Sequence, residues 1–547
     1  LHLGFPTEGA GETPALQGES RVKRIIPLVL LLLGALAMSA AEHLPDMARY
    51  RRPLTAEIQI PALGETVPTN LYGNAVQLAY PELGVARIGD DPALFAELVA
   101  MLRSMNVRLL RFPGGTWCHA YSIHGPKTMD ALRTVRKDYI LDRSKYQWTD
   151  TRVYLKLCKA VGADALFQLN MAHWVDPTTM AAYRIAKQDS SYGTAEAKTA
   201  LRVAARELEY APEKTVLAVA DAQQVAEWAK ELGVRVLWEF GNEDYTLLSP
   251  ETYLGQCQAF YQAIKAVDAK AAFVITADGY SWSDWRWGKA VIDGVADAGL
   301  KDIAHLSCHV YMTGGCRLKP TTGESAFRGF IGSWYELRFL HHGLRKQLKE
   351  LGRNDIKIAI TEGNMVGPGT PIIGKPHEHG MGRALAEAAI FPKRIRSYSM
   401  LVHHDLVRSD HATWFCRIFY SPDQKPGRRY SLPTDGAVMQ IAGEHAMNQA
   451  VYADVYEILA LSMGKDQLLL TIGNPVSTPR SAEIALRGLR GPLRILESQG
   501  IVAADLDSPN YTTQPVPCKI DGQVLRLLLP PFSYVSIRLA ATHAANE

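Results

Sequence analysis

The sequence has little net charge for its length. Its 59 lysines and arginines nearly balance 56 aspartates and glutamates, which leaves a formal charge of +3 over 547 residues at pH 7. Because nucleic-acid-binding proteins carry strongly basic patches, this balance argues against a nucleic acid partner. Hydrophobic residues make up 47% of the chain, the proportion of an ordinary globular protein, and the length suggests more than one domain.

The sequence also lacks the spacing patterns of common cofactor sites. No Gly-x-Gly-x-x-Gly motif stands between a strand pattern and a helix pattern, so a dinucleotide-binding loop is not indicated. The seven cysteines include no Cys-x-x-Cys pair and no zinc-ribbon spacing. We therefore expect no cofactor and no metal site. An odd number of cysteines leaves at least one thiol unpaired, and Cys308 with Cys316 is the best disulfide candidate.

Long hydrophobic runs are missing as well. The apolar run at 25–37 is short for a membrane span; it follows the basic stretch Arg-Val-Lys-Arg and precedes small residues. This combination is typical of a secretory signal peptide, which we assign to residues 21–41. Residues 1–20 form an unassigned leader. The pattern predicts a secreted or periplasmic protein with no membrane span in the mature chain, and an uncleaved anchor is the alternative.

Short β-rich apolar runs alternate with helical patterns across residues 69–460, at the spacing of βα units. The predicted strands lie at 69–77, 107–112, 163–170, 234–240, 272–277, 303–311, 356–364 and 412–419. This alternation favours a (β/α)8 TIM barrel of the α/β class, with a doubly wound open sheet as the alternative.

Helix signals lie between these strands. Asp91, Asp221 and Ser249 stand where helix N-caps are expected, and a helix is predicted from Asp150 to Val161. A helix broken at Pro392 is predicted over 381–408, which would include His403 and His404. Two irregular insertions, at 118–148 and 176–215, match no motif.

The pattern changes near residue 465. Short alternating strands separated by Asn, Gly and Pro then continue to the end of the sequence. They predict an all-β sandwich domain over 461–547. Residues 42–68 contain one short alternating run, and we expect it to add a strand to this β domain.

Two predicted barrel strands have a glutamate at or just after their C-terminal end. The fourth is followed by Gly-Asn-Glu-Asp at 241–244, and the seventh contains Glu362. A TIM barrel places its catalytic groups at the C-terminal ends of its strands. Two carboxylates there are the apparatus of glycoside hydrolysis, in which one gives a proton to the leaving oxygen and the other attacks the anomeric carbon or activates water. Enolases and aldolases also use strand-end carboxylates, but usually with several metal-binding Asp and Glu residues or a lysine, and no predicted strand here ends in such a cluster.

The residues around these glutamates resemble the motifs of the clan A retaining glycoside hydrolases, and most closely those of the family 51 α-L-arabinofuranosidases. Trp-Glu-Phe-Gly-Asn-Glu at 238–243 resembles their strand-four motif, Arg-Phe-Pro-Gly-Gly at 111–115 is similar to their Arg-Tyr-Pro-Gly-Gly, and His-Val-Tyr at 309–311 matches the clan's His-x-Tyr. The resemblance covers roughly residues 65–547. Families 39, 79 and 30 share much of the architecture, and Thr-Glu-Gly at 361–363 departs from the Asp-Glu-Trp often seen in family 51.

The resemblance implies a role for each matching residue. Glu243 would be the acid/base and Glu362 the nucleophile, with Asn242 bonding the sugar 2-hydroxyl. Arg111 and Tyr311 would hold the nucleophile ionised and oriented, and His309 would line the −1 subsite. The chemistry agrees, since a guanidinium beside a carboxylate lowers its pKa, and a carboxyl separation of about 5 Å would mean net retention.

Further candidates for substrate contact come from the strand ends and loops. Trp117, Trp174 and Trp414 are potential sugar-stacking platforms, and Asn170 is a strand-end polar residue, although packing explains each of them nearly as well. The expected substrate is an oligosaccharide or polysaccharide, and the best single expectation is an α-L-arabinofuranosidase-like enzyme. A β-xylosidase, β-glucuronidase or endo-glycanase of the same clan is the alternative. An inactive glycan-binding or structural surface protein is the alternative from another class.

Overall fold

A computed structural model describes most of the chain. The described residues are 44–60, 71–75, 88–115, 118, 121, 123, 150–171, 212–246, 248–276, 286–311, 322–364, 379–403, 407–409, 418–421, 423–448, 450–464, 467–489 and 491–541. The chain divides into a unit Leu1–Leu44 and one compact unit Pro45–Glu547, and all elements below belong to the second.

Eight strands form a closed barrel in chain order. They are β2 (Leu71–Ala75), β3 (Leu109–Phe112), β4 (Asp164–Gln168), β5 (Val236–Glu239), β6 (Ala272–Thr276), β7 (Ile303–Tyr311), β8 (Lys357–Asn364) and β9 (Met400–His403). Each pairs in parallel with its neighbours, and β9 closes the ring on β2. The predicted (β/α)8 barrel is therefore confirmed.

The barrel interior is packed with aliphatic side chains. A separate buried cluster contains Leu109, Leu166, Leu237, Val274, Ala359, Met400 and Val402, contributed by six of the strands. Their neighbours along the strands, such as Leu110 and Trp238, belong instead to the larger cluster that includes the surrounding helices. This alternation follows from the two-residue repeat of a strand. Because the interior is filled, polar chemistry is left to the ends of the strands.

Helices connect the strands. They are α1 (Pro92–Ser104), α2 (Thr151–Val161), α3 (Pro212–Leu232), α4 (Pro250–Val267), α5 (Arg286–Gly294), α6 (Gly323–Glu350), α7 (Met381–Ser397) and α8 (Thr434–Ala442). The caps predicted at Asp91 and Ser249 are confirmed, since each side chain accepts a backbone N–H of the first turn, and Asp150, the predicted start of a helix, caps α2 in the same way. Among the described residues, no helix is long and apolar enough to cross a bilayer.

The last part of the barrel differs from the prediction. The expected single helix over 381–408 is wrong, because α7 ends at Ser397 and β9 follows, which places His403 in a strand. The run predicted as the eighth strand, 412–419, overlaps β11 (Ile418–Tyr420), which pairs outside the barrel with β10 (Val407–Ser409) and β12 (Tyr430–Ser431). Periodicity alone cannot separate a four-residue buried strand from the end of a helix.

Two other expectations are corrected. Asp221 does not cap a helix but lies inside α3, which begins at Pro212 and so includes the end of the insertion expected at 176–215. The predicted disulfide between Cys308 and Cys316 is wrong, because Cys308 is a buried free thiol that donates to the carbonyl of Ala359. The rest of both insertions lies outside the described residues, apart from Cys118, Tyr121 and Ile123.

Two sheets form the β domain. One contains, in spatial order, β13 (Ala450–Asp454), β14 (Leu459–Met463), β15 (Gln467–Asn474), β21 (Ser533–Ala541), β17 (Leu493–Ala503) and β18 (Tyr511–Pro515). The other contains β1 (Leu54–Gln59), β16 (Arg480–Arg487), β20 (Val524–Leu529) and β19 (Cys518–Asp521). Side chains from both sheets share one buried cluster, as in a sandwich. The first sheet begins at Ala450, before the boundary at 461 expected from the sequence.

Glycines allow the β domain to approach the barrel closely. The backbone N–H of Gly382 donates to the carbonyl of Leu506 at 2.9 Å, and that of Gly323 donates to the Asp507 carboxylate at 2.6 Å. A Cβ atom on Gly380 would lie 2.8 Å from backbone atoms of Asp507. The N-terminal ends of α6 and α7 are therefore fixed against the connection between β17 and β18.

Candidate active site

The C-terminal ends of barrel strands bring a group of charged side chains together. Arg111 comes from β3, His309 from β7 and Glu362 from β8, and the last two stand opposite each other in the strand register. Asn242 and Glu243 follow β5 in the loop that leads to α4. These are five of the six residues that the sequence motifs predicted for the catalytic centre, and the structure places them at one barrel mouth; the sixth is Tyr311.

Arg111 is the centre of this group. Its side chain is completely buried, and it donates from Nε to Glu239 Oε2 at 2.6 Å, from Nη1 to Glu362 Oε2 at 2.9 Å and from Nη2 to Asn242 Oδ1 at 2.9 Å. Burial alone would lower the pKa of the guanidinium, but the carboxylates of Glu239 and Glu362 raise it above its ordinary value. Arg111 therefore stays charged and compensates two buried carboxylates.

Glu243 and Glu362 differ in their surroundings. The Glu362 side chain is only 8% exposed and shares the buried guanidinium, whereas that of Glu243 is 36% exposed. One carboxylate oxygen of each lies within 4.8 Å of the other and of a ring nitrogen of His309. This spacing suits two carboxyl groups that act on the same bond from opposite sides, without room for a water between them.

His309 lies between the two glutamates. Its Nδ1 is 3.1 Å from Glu243 Oε1 and 3.8 Å from Glu362 Oε2, and its Nε2 is 3.3 Å from Arg111 Nη2. A guanidinium can only donate, so Nε2 accepts, and the neutral ring carries its proton on Nδ1, directed at Glu243. Burial opposes protonation of the ring, but the charges of Glu362 and Glu243 raise the pKa of His309 above its usual value.

Several supporting residues were not predicted. Gln168 donates to Asn242 Oδ1 at 3.0 Å and accepts the backbone N–H of Gly114 at 2.8 Å, so it ties the β3 loop to the β5 loop. Ser307 donates to Glu239 Oε1 at 3.1 Å and also hydrogen-bonds to Thr361. The available signal was the two-residue repeat, because Gln168 and Glu239 are polar residues in runs that otherwise read as buried strand.

The remaining predicted residues are not brought into this group by the described contacts. Asn170 is buried after β4, where its Nδ2 donates to the carbonyl of Tyr121 at 3.0 Å. Tyr311 lies in β7 opposite Asn364, and its side chain lies outside the described residues. Trp117, Trp174 and Trp414, like His404, also lie outside them.

The same centre has the donors for a cation. Glu243, His309 and Glu362 each offer one ligand atom, and these atoms lie within 4.8 Å of one another. Imidazole with carboxylates is a ligand set that zinc accepts. A cation held there would bind both glutamates at once and would compete with proton transfer and nucleophilic attack by them.

Comparison with known proteins finds similarity in structure. No protein-family model and no curated protein matches the sequence. The α-L-arabinofuranosidase from Thermotoga maritima aligns with a TM-score of 0.57 at 14% identity, over 88% of this chain and 98% of that one.

Two further solved structures align in the same way. AbfB, a family 51 α-L-arabinofuranosidase from Bifidobacterium longum, aligns with a TM-score of 0.57 at 16% identity, over 89% of this chain and 100% of that one. CelM2, a bifunctional glucanase-xylanase from a metagenome library, aligns with a TM-score of 0.56 at 14% identity, over 90% and 100%. The chain therefore has the fold of the family 51 α-L-arabinofuranosidases and related clan A glycoside hydrolases, a TIM barrel followed by a β domain.

Proposed function

We propose that the protein is a retaining glycoside hydrolase in which Glu362 is the nucleophile and Glu243 the acid/base. The observation that carries this proposal is the pair of carboxylate oxygens within 4.8 Å, one beside a buried guanidinium and the other partly exposed. Retaining enzymes keep their two carboxyl groups about 5–5.5 Å apart, whereas inverting enzymes need about 6.5–9.5 Å to hold a water.

The reaction would proceed in two displacements. In the first, Glu362 attacks the anomeric carbon while Glu243 donates a proton to the departing glycosidic oxygen, which leaves as an alcohol. In the second, Glu243 takes a proton from water, whose oxygen displaces Glu362 from the sugar. Each step breaks one bond at the anomeric carbon and forms another, and Glu243 ends as it began.

The surroundings of the two glutamates support these roles. Arg111 compensates the charge of Glu362 and keeps its carboxylate in place through a 2.9 Å hydrogen bond. Glu243 has no contact with that guanidinium among the described hydrogen bonds; it meets the Nδ1 of His309 instead. The Nδ1–H of a neutral imidazole can donate to the Glu243 carboxyl whether that carboxyl is protonated or ionised, because both forms keep an acceptor oxygen. Proton transfer by Glu243 therefore does not break this hydrogen bond.

For the substrate we propose an α-L-arabinofuranoside, on the motifs at 111–115, 238–243 and 309–311 and the similarity to family 51 structures. A β-xylosidase, a β-glucuronidase or an endo-glycanase is the alternative, and the similarity to CelM2 favours the last of these. We also propose that the protein is exported, because residues 21–41 have the pattern of a signal peptide.

The test is hydrolysis of aryl α-L-arabinofuranoside, β-xyloside, β-glucuronide, β-glucoside and β-galactoside by the wild type, Glu243→Ala and Glu362→Ala. We expect one sugar to be cleaved with retained configuration. Glu362→Ala should abolish turnover, and azide should restore turnover to Glu243→Ala by replacing the water that needs a base. Glu483→Ala, which removes an exposed glutamate of β16, is the matched control and should keep full activity.

Other outcomes contradict the proposal. Full activity in both active-site variants would mean that other carboxylates act. If no glycoside or polysaccharide is cleaved but oligosaccharides bind, the protein is a glycan-binding protein with an inactive barrel. Release of oligosaccharides from a polysaccharide without cleavage of aryl glycosides would instead identify an endo-glycanase.

A further inference from the structure

The loop that carries Asn242 and Glu243 has an unusual backbone. Gly241 has φ +76° and Glu243 has φ +56°, so both lie in the left-handed region. Glycine adopts this region freely, but for a residue with a Cβ it costs on the order of 1 kcal/mol. A glutamate remains in this conformation only where its surroundings hold it there.

Asp244 lies directly inside this loop. Its side chain is completely buried, and it folds back against Gly241 so closely that a Cβ atom there would overlap Oδ2 and lie 2.5 Å from Cγ. The backbone N–H groups of Asn242 and of Asp244 itself lie near the carboxyl group and favour its charged form. The Asp244 carboxyl thus packs against the backbone of Gly241, on the inside of the turn that Glu243 occupies.

The other side of Asp244 is anchored to the scaffold. Its carbonyl accepts the backbone N–H of Leu248 at 2.8 Å, just before α4 begins. Asp244 therefore supports the loop from the side of the scaffold. On the side of the barrel mouth, Asn242 accepts hydrogen bonds from Arg111 and Gln168. Glu243 hydrogen-bonds to His309 on that same side.

We propose that Asp244 is the positioning residue of the acid/base: its buried carboxyl holds Glu243 in the left-handed conformation that directs the Glu243 carboxyl towards His309 and the glycosidic oxygen. This inference rests on the acid/base role proposed for Glu243. Asp244 itself neither touches the sugar nor transfers a proton in this scheme.

The protonation of Asp244 supports the choice of variant. Burial, with the charges of Glu239 and Glu243 nearby, raises the pKa of Asp244 well above its ordinary value. A neutral isostere is therefore tolerated in the same space and can pack against Gly241 as the carboxyl does. Asp244→Asn should keep the loop closed, whereas Asp244→Ala should open it.

The experiment compares two substrates of the sugar that the wild type cleaves: a dinitrophenyl glycoside, whose leaving group departs without a proton, and an alkyl glycoside, which needs one. A misplaced general acid slows only the second, since general acid catalysis contributes about 10²–10⁴-fold. We expect Asp244→Ala to lower kcat/KM for the alkyl glycoside by about 10- to 100-fold and for the dinitrophenyl glycoside by less than about threefold. Asp244→Asn should recover most of the loss.

Gly241→Ala is the second variant, because its new Cβ would displace the Asp244 carboxyl. It should show the same leaving-group dependence, even if Asp244→Ala folds poorly. A proportional loss on both substrates, or no loss, in Asp244→Ala and Gly241→Ala overturns the inference. Glu243→Ala tests the acid/base role of Glu243 separately from the positioning role of Asp244. If Glu243→Ala also shows no difference between the two leaving groups, Glu243 is not the general acid and the proposed function fails.

Discussion

Arg111 and Glu239 form an ion pair that water does not reach. The guanidinium Nε lies 2.6 Å from Glu239 Oε2, and neither side chain is exposed. The other two guanidinium nitrogens of Arg111 donate to Glu362 and Asn242. By fixing Nε, Glu239 sets the orientation of the guanidinium plane and so the direction of these two hydrogen bonds. Glu239 therefore acts on the nucleophile through Arg111, without reaching it directly.

Replacing Glu239 with glutamine should destabilise the protein and reduce its activity together. Breaking a buried pair leaves an incompletely compensated charge and typically costs about 3–5 kcal/mol, of which the remaining partner Glu362 should recover a part. We expect a loss of about 2–4 kcal/mol in urea unfolding and a lower kcat with little change in KM. Glu497→Gln is the control, since its pair with Arg538 is exposed and should contribute less than about 1 kcal/mol. Equal effects of the two substitutions would contradict this assignment.

Stability should fall in acid because of a histidine far from the barrel mouth. His445 is completely buried between the hydroxyls of Ser462 and Thr471, and burial lowers its pKa to about 3. Below about pH 6.5 the unfolded chain binds a proton that folded His445 does not, so the free energy of unfolding decreases by about 1.4 kcal/mol per pH unit until the folded pKa is reached.

The checking measurement is the free energy of unfolding in urea at pH 7, 6 and 5. His445→Gln should be less stable at pH 7, because it loses hydrogen bonds, but its stability should fall about 2 kcal/mol less than that of the wild type by pH 5. His305, whose pKa burial lowers to about 4, provides a second case of the same sign. Parallel pH profiles for wild type and His445→Gln would show that this residue titrates normally in the folded state.

Two helical glycines should respond oppositely to the same substitution. A Cβ on Gly382 in α7 would overlap the carbonyl oxygen of Gly323 and lie 2.8 Å from its carbonyl carbon, and backbone atoms cannot move aside cheaply. Gly382→Ala should therefore cost about 1–3 kcal/mol. Gly255 in α4 has no atom within 4 Å of its Cβ position, so Gly255→Ala should gain about 0.5–1 kcal/mol. The melting temperatures of both variants test this prediction. A Gly382→Ala variant as stable as the wild type would mean that α6 and α7 can move apart to make room for the methyl group.

Barrel strands β2 to β8 are predictable from the sequence because each lies in a short β-rich run at the spacing of βα units. Strand β9 is not, since its four residues continue the apolar pattern of α7 after a gap of two. That segment becomes a strand because it pairs with β2 and closes the barrel, and the paired residues lie more than 300 positions apart in the sequence. Local periodicity carries no information about such a contact.

The candidate site divides in the same way. Arg111, Asn242, Glu243, His309 and Glu362 carry recognisable motifs, and parallel strands bring their ends to one mouth. Glu239 lies inside the motif at 238–243 and is equally buried, but no role is predicted for it from the sequence because it reads as part of the buried strand. The back-folded side chain of Asp244 depends on the backbone angles of Gly241 and Glu243, which residue types alone do not specify. Trp117, Trp174 and Trp414, the potential stacking platforms, lie outside the described residues and stay predictions.

The pairing of β1 with β16 makes the order of synthesis matter. Arg480 donates to the carbonyl of Arg52, 428 residues upstream, and β1 lies parallel to β16 with Leu54 and Ile58 in the buried cluster of the β domain. On the ribosome, the nascent chain exposes these two apolar residues while the whole barrel is translated. The partner strand of β1 is not available until β16 emerges from the exit tunnel, so a chaperone that recognises extended apolar segments would have that whole interval in which to bind β1.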